Sequence, residues 1–169
     1  YKNEGNGKYT KRDFLKKGIN RPSEAGLLAD LNGDGLIDYI GGNSENGSLL
    51  FFPGSEGGQF IDSPYKFNIP PLEGLHTISA GDIDGDGDLD VLVASMGIML
   101  PSNEDIGAVI VLENDGTNHF TPRTVMDNIR RVTDVRPGDL DGDGDIDLAV
   151  SQFGYVQGEV QWLENLGEW

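Results

Sequence analysis

Cysteine is absent from the 169 residues. No disulfide framework, thiol nucleophile or thiolate metal site is therefore available, although an oxidising compartment stays permitted. Basic residues are scarce. Lys and Arg number 12 against 29 Asp and Glu, for a net charge of −17 and a pI near 4.2. A surface of that sign repels phosphate, which excludes a nucleic-acid partner and a polybasic membrane-surface protein. Long apolar runs are missing too. The longest, Val91 to Leu100, is too short to cross a bilayer as a helix, so no membrane insertion is expected. The start, Tyr1-Lys2-Asn3-Glu4, lacks the apolar stretch of a signal peptide, and the chain reads as mature or excised soluble protein. No window offers a capped helix of about ten residues or more. No Gly-Lys-Ser/Thr loop, His-Glu-x-x-His or nucleophile elbow occurs, so the chain is read as a non-enzyme.

What is abundant is glycine, 25 of 169 residues, and with it repetition. Three nine-residue segments match: Asp30 to Asp38, Asp82 to Asp90 and Asp139 to Asp147. They start 52 and 57 residues apart. A second marker keeps the same period. It runs Tyr1 to Tyr9, Phe52 to Phe60 and Leu112 to Phe120, with a truncated copy from Leu163. Two markers on one period point to tandem structural units.

Each unit reads as short strands bounded by Gly, Asn and Asp. A half-apolar stretch precedes each acidic loop: Ala25 to Ala29, His76 to Ala80 and Val132 to Arg136. Apolar runs follow at Ile37 to Ile40, Leu89 to Ala94 and Ile146 to Val150. Third strands are expected over Ser48 to Phe52, Ala108 to Leu112 and Glu159 to Leu163. Fourth strands are expected over Gln59 to Phe67 and His119 to Met126, with Lys8 to Leu15 as an equivalent at the start. Four strands per unit predict an all-β fold of β-propeller blades, three four-stranded repeats forming part of a larger ring. Residues 1–15 would be the outer strand of a preceding blade. Repeat one would cover 16–67 and repeat two 68–127. Repeat three, 128–169, would lack its outer strand. The remaining blades, or other chains, are the partners such a piece requires.

The acidic loops carry the chemistry. Their pattern is Asp-x-Asp/Asn-Gly-Asp-Gly-x-x-Asp, with oxygen side chains at positions one, three, five and nine. A chain wrapping one ion turns alternate side chains inward, which accounts for the odd spacing. The first loop offers Asp30, Asn32, Asp34 and Asp38; the second Asp82, Asp84, Asp86 and Asp90; the third Asp139, Asp141, Asp143 and Asp147. Position seven holds Leu36, Asp88 or Asp145, and a site that accepts Leu fits a backbone carbonyl ligand. Four side chains, one carbonyl and a water satisfy calcium, which takes about six to eight hard oxygens. Magnesium prefers to keep its waters, and zinc or copper would want Cys or clustered His. About three calcium ions are expected, with the first loop the weakest because Asn32 and Leu36 carry no charge. An EF-hand would need Glu at position twelve; Gly41, Val93 and Val150 stand there.

Loops followed by apolar strands, as in Asp88-Leu-Asp-Val-Leu-Val-Ala94 and Asp145-Ile-Asp-Leu-Ala-Val150, resemble FG-GAP/VCBS-type repeats. The Leu-Glu-Asn-x-Gly marker at 112–116 and 163–167 belongs to the same pattern. The resemblance implies a calcium-bearing propeller like that of integrin α-subunit heads and many secreted or surface proteins, with the loop residues as ligands. The literal Phe-Gly…Gly-Ala-Pro signature is degenerate; Gln152-Phe153-Gly154 is its nearest trace.

Insertions gather where binding happens. The stretch from the last loop Asp to the marker spans 14 positions in repeat one, 22 in repeat two and 16 in repeat three. The excess lies in Ser95 to Ile106, where Met96, Ile98 and Met99 either form an apolar contact patch or fold over their own blade. Phe153 and Tyr155 either stack on a ligand or pack locally. Trp162 aligns with Val111 and Phe51 and is expected in the core between blades. His76 and His119 are read as structural, and Arg130, Arg131 and Arg136 as partners for surplus carboxylates, with a ligand role as the alternative. Glu113 and Glu164 recur at equivalent positions, which suits architecture better than acid/base catalysis. Asn46-Gly47-Ser48 is a glycosylation sequon. The functional expectation is an extracellular or cell-surface module that recognises a protein or glycan. The alternatives are a rigid part of a large surface or filament protein, or a non-catalytic ancillary domain of a secreted polysaccharide-degrading enzyme.

Overall fold

The fold is that of a computed structural model, which describes residues 1–11, 25–43, 47–61, 63–67, 74–97 and 103–167. Every regular element among them is a β-strand. A hairpin of β1 (Lys2–Gly5) and β2 (Lys8–Thr10) comes first, fully exposed. The first sheet then joins β3 (Gly26–Ala29), β4 (Asp38–Asn43), β5 (Ser48–Phe52) and, beyond a small ladder of β6 (Gly54–Ser55) with β7 (Gln59–Phe60), β8 (Tyr65–Lys66). The second sheet is β9 (Leu75–Gly81), β10 (Asp90–Ser95), β11 (Gly107–Asn114) and β12 (Phe120–Ile129). The third is β13 (Arg131–Gly138), β14 (Asp147–Phe153) and β15 (Gly158–Leu163). All pairings are antiparallel and run in chain order.

The three acidic loops therefore occupy one equivalent place, the turn from the first to the second strand of each sheet. The fold is all-β with sheets of three and four strands. No closure of these sheets into a ring is seen among the described residues.

One departure concerns the outer strand of the first sheet. The run Gln59 to Phe67 was expected to be continuous, but it splits between β7 and β8. Pro64 has no N–H for a ladder bond, and Pro53 lies at the other side of the small hairpin. On the second sheet Pro122 is accommodated because β12 is an edge strand.

Strand periodicity assigns the core. Side chains alternate between sheet faces, so the second sheet has two apolar faces. Val91 lies opposite Leu112 and Val93 opposite Ile110; this face packs on Ile40, Leu49 and Phe51 of the first sheet. Leu92 lies opposite Val111 and Ala94 opposite Val109; this face packs on Val132, Val135, Leu148 and Val150 of the third sheet. Near the outer strands, Phe67 and Phe120 meet edge-on at 5.0 Å, and Phe51 lies 5.9 Å from Phe120. At the inner strands the contact is polar. Thr77 Oγ1 donates to the Thr133 carbonyl (2.9 Å) and Ser79 Oγ to the Val135 carbonyl (2.8 Å). His76 Nδ1–H also reaches the Thr133 carbonyl (2.8 Å).

Candidate metal centres

Glycine at positions four and six makes the loops possible. Gly33, Gly35, Gly85, Gly87, Gly142 and Gly144 all have φ between +68° and +101°. Residues with a Cβ rarely adopt that region, and it coils the chain tightly enough to turn alternate side chains inward. The inward set is held by short local bonds. Asn32 Oδ1, Asp84 Oδ1 and Asp141 Oδ1 each accept the N–H of position five at 3.1 Å. Asp34, Asp86 and Asp143 each accept the N–H of position seven at 2.8–2.9 Å. Position one reaches further: Asp30 Oδ2 accepts from Gly35 (2.9 Å) and Asp82 Oδ2 from Gly87 (3.1 Å), whereas Asp139 Oδ1 accepts from Gly142 (2.7 Å).

Carboxylates are gathered as a result. One oxygen each from Asp82, Asp84 and Asp86 lie within 4.8 Å of one another, as do those of Asp139, Asp141 and Asp147. Asp82 Oδ1 is shielded from solvent and has no hydrogen-bond partner. A buried carboxylate oxygen without a donor is costly unless a cation meets it. The donor set is hard oxygen throughout, which fits calcium.

Position nine behaves differently from the others. Asp38, Asp90 and Asp147 are buried, and both oxygens of each accept backbone N–H groups. Asp38 takes Leu31 (2.9 Å) and Gly54 (2.7 Å). Asp90 takes Ile83 (2.7 Å) and Asn114 (2.8 Å), and Asp147 takes Leu140 (2.9 Å) and Asn165 (2.8 Å). These residues close the loop and tie it to the marker at or just beyond the end of the sheet's third strand. Burial pushes the Asp90 carboxyl up to about 6 from 3.8, against the pull of its two N–H donors. Asp38 is raised by burial in the same way. Asp84 is raised too, first by burial and then by Asp86 and Asp82. Asp147 is lowered, by the N–H groups of Asn165 and Leu140.

Position seven has its side chain turned aside. The Asp88 carboxylate closes on Gly116, and Asp145 Oδ2 would lie 3.1 Å from a Cβ at Gly167. That leaves the backbone carbonyl as the group position seven can offer an ion.

Sequence reasoning passed over Asn114 and Asn165. The Asn114 amide donates to the Leu31 carbonyl in the first loop (2.6 Å) and to the Leu89 carbonyl in the second (3.0 Å). The Asn165 amide donates to Ile83 (3.2 Å) and Ile146 (3.3 Å), the same positions one repeat on. Their recurrence in the Leu-Glu-Asn marker was the available signal. An open cleft of about 370 Å³ between the second and third loops is lined by Asp82, Asp84, Asp145 and Asn165.

The other candidates fall out as follows. Trp162 is not in the core: it is 53% exposed, because no described sheet covers that face, whereas Val111 and Phe51 each face a following sheet. Met96 is buried, and Ile98 and Met99 lie outside the described residues, as does Asn46. Phe153 and Tyr155 are exposed, and the Tyr155 N–H donates to Asn103 Oδ1 of the enlarged loop (2.8 Å). Arg136 pairs with Asp134 (2.9 Å), Arg130 reaches the Gln157 side chain, and Arg131 is buried with its guanidinium 4.9 Å from the Phe153 ring. Glu113 pairs with Arg123 across neighbouring strands (3.0 Å), an architectural role. His119 is exposed beside Asp115 (3.5 Å).

Repeated sheets bearing repeated acidic loops define a tandem-repeat module. The chain belongs to the FG-GAP-like repeat family, which matches over residues 30–93 and 98–150, with the FG-GAP repeat matching separately over 75–112. It is similar to cartilage acidic protein 1 of Mus musculus, 29% identical over 160 residues, and to that of Homo sapiens, 28% identical over 160. Each alignment covers 89% of this chain and 24% of the relative, so the chain spans about a quarter of those proteins. Among the described residues, no helix is long and apolar enough to cross a membrane.

Proposed function

We propose that the chain is an extracellular, calcium-stabilised β-propeller segment that recognises a protein or glycan. The observation that carries the metal reading is the shielded Asp82 Oδ1, which lacks a donor on a residue whose carboxylate is grouped with those of Asp84 and Asp86. Odd-numbered loop positions supply the ligands: side-chain oxygens from one, three, five and nine, and the backbone carbonyl from Leu36, Asp88 or Asp145. Bound calcium supplies the positive charge that offsets carboxylate repulsion and draws the loop closed. The second and third loops, with five Asp each, bind more tightly than the first, with three. Extracellular calcium modules work at about 10⁻⁴–10⁻³ M. Similarity to cartilage acidic protein 1 supports the extracellular setting.

The propeller reading is supported by equivalent sheets in chain order and by the uncovered face of the third sheet. Val160, Trp162 and Phe153 are exposed there, and a further sheet of a ring, or another chain, would bury them. Ligand recognition belongs to the end of the sheets opposite the acidic loops, where the enlarged loop meets the exposed Tyr155.

Calorimetric titration with calcium, and a thermal melt with and without chelator, test the metal. About three ions and a raised midpoint are expected. Calcium at 100 times its Kd adds about 2.7 kcal/mol per site. No heat of binding together with an unchanged melt would end the proposal. Capture on glycan and protein arrays then separates recognition from a purely structural role.

A further inference from the structure

The three loops are joined by an unbroken run of hydrogen bonds. It starts in the first loop, where the Leu31 N–H donates to Asp38 Oδ2 (2.9 Å). The carbonyl of that same Leu31 accepts the Asn114 amide (2.6 Å). Asn114 also donates from its backbone N–H to Asp90 Oδ1 (2.8 Å) and from its amide to Leu89 (3.0 Å), both in the second loop. The other oxygen of Asp90 accepts the Ile83 N–H (2.7 Å), and the Ile83 carbonyl accepts the Asn165 amide (3.2 Å). Asn165 in turn holds Asp147 Oδ1 (2.8 Å) and Ile146 (3.3 Å), and Asp147 Oδ2 accepts the Leu140 N–H (2.9 Å) in the third loop. Every link is either a position-nine carboxylate, a position-two or position-eight peptide, or a marker asparagine.

The asparagines are themselves fixed. Asn114 Oδ1 accepts the Gly116 N–H (3.2 Å) and Asn165 Oδ1 accepts the Gly167 N–H (3.1 Å), so each amide has one orientation. Asn3 makes the same turn with Gly5 (2.9 Å) in the first marker. The second marker departs from this. It has Gly54 in that place, where a Cβ would fall 2.5 Å from the Ile37 carbonyl oxygen. The described run therefore begins at the first loop.

We infer that Asn114 and Asn165 couple the three loops, so that closing one loop around a cation raises the cation affinity of its neighbours. The inference rests on the calcium reading above. Its physical basis is that Leu31 and Ile83 each give their N–H to the position-nine carboxylate of their own loop and take the amide of the next sheet's asparagine on their carbonyl, so the residue that closes the loop also carries the inter-sheet bond. A loop that closes draws in its position-nine carboxylate, and with it the peptide the next sheet's asparagine holds. Coupling of this kind is reciprocal and amounts to about 5- to 150-fold in affinity. Asn114 and Asn165 are positioning residues; neither side chain is assigned to an ion.

Two measurements on the full chain test this. The first is calorimetric calcium titration of wild type, Asn114→Ala and Asn165→Ala. The wild-type isotherm is expected to be steeper than independent sites allow. Asn114→Ala is expected to remove the part shared by the first two loops, and Asn165→Ala the part shared by the last two. The second is amide hydrogen exchange in chelator, with Asp82→Asn perturbing the second loop. Exchange at Leu31 and Leu140 is expected to rise about fivefold or more, and not at Leu31 once Asn114 is Ala. Asn165 is the less buried of the pair, so its variant serves if Asn114→Ala fails to fold. Independent calcium sites in wild type, with exchange at Leu31 and Leu140 indifferent to Asp82→Asn, would overturn the coupling and leave calcium binding intact. Propagated exchange without any calcium binding would overturn the calcium reading and with it the coupling of affinities, leaving a structural link alone.

Discussion

The second and third sheets carry the same loop, the same position-nine aspartate and the same two backbone bonds to it, yet their chemistry differs. Asp90 is raised to about 6, whereas Asp147 is lowered. The second sheet lies between two others, and every residue of β10 is buried. On the third sheet β15 is mostly exposed, and none of the described sheets covers its outward face. Both aspartates are buried, but Trp162 stands where the second sheet has Val111, and its side chain gives Asp147 a further hydrogen bond that valine cannot supply to Asp90. A repeat is thus the same unit in its backbone and a different one in the side chains set around its aspartate.

Truncation of one equivalent position gives the largest expected contrast. Phe51→Ala, in a core between sheets, should cost about 3–5 kcal/mol. Trp162→Ala, although a larger deletion, should cost no more than about 2 kcal/mol, because the ring is half exposed and the main loss is its side-chain hydrogen bond to Asp147. Urea unfolding checks both, and equal losses would mean that the third sheet's face is covered. Acidity comes next. Asp90 binds protons more readily folded than unfolded, so in chelator it makes stability fall as pH rises from about 4 to about 6. Asp38 and Asp84 act in the same direction. Asp147 acts oppositely, its contribution being present above its unfolded pKa and lost as pH falls through its lowered folded value. Melts in chelator should thus gain midpoint between pH 7 and 5, less so in Asp90→Asn than in Asp147→Asn, and saturating calcium should suppress the gain. Smallest is the surface itself. Val160→Lys should shift stability by no more than about 0.5 kcal/mol yet reduce self-association, as sedimentation velocity would show.

Strands and loops were legible because both are local. Alternating apolar residues at 91–94 and 109–112 give a two-faced strand pair whatever surrounds it, and glycines at 85 and 87 permit one kind of coil. What escaped was non-local. The amide of Asn114 spans 83 residues to Leu31, and nothing near position 114 names that partner. Trp162 looked like core because its equivalents are core, but burial belongs to the neighbouring sheet and not to the residue. The broken outer strand of the first sheet was local and readable, since Pro53 and Pro64 both forbid ladder bonds. The acidity also changes meaning. The loops hold 13 of 29 acidic residues and no basic ones, so the remainder of the chain is nearly balanced.

The hydroxyls of Thr77 and Ser79, two residues apart, meet carbonyls of Thr133 and Val135, also two apart. The second and third sheets are therefore aligned by a pair of pegs on the inner strand, and a slip by one residue would aim Ile78 at a carbonyl instead. Counted back from its loop, the first sheet has Ala25 and Leu27 at the places of Thr77 and Ser79, so the seating of one sheet on the next is written into each copy separately and not into the repeat.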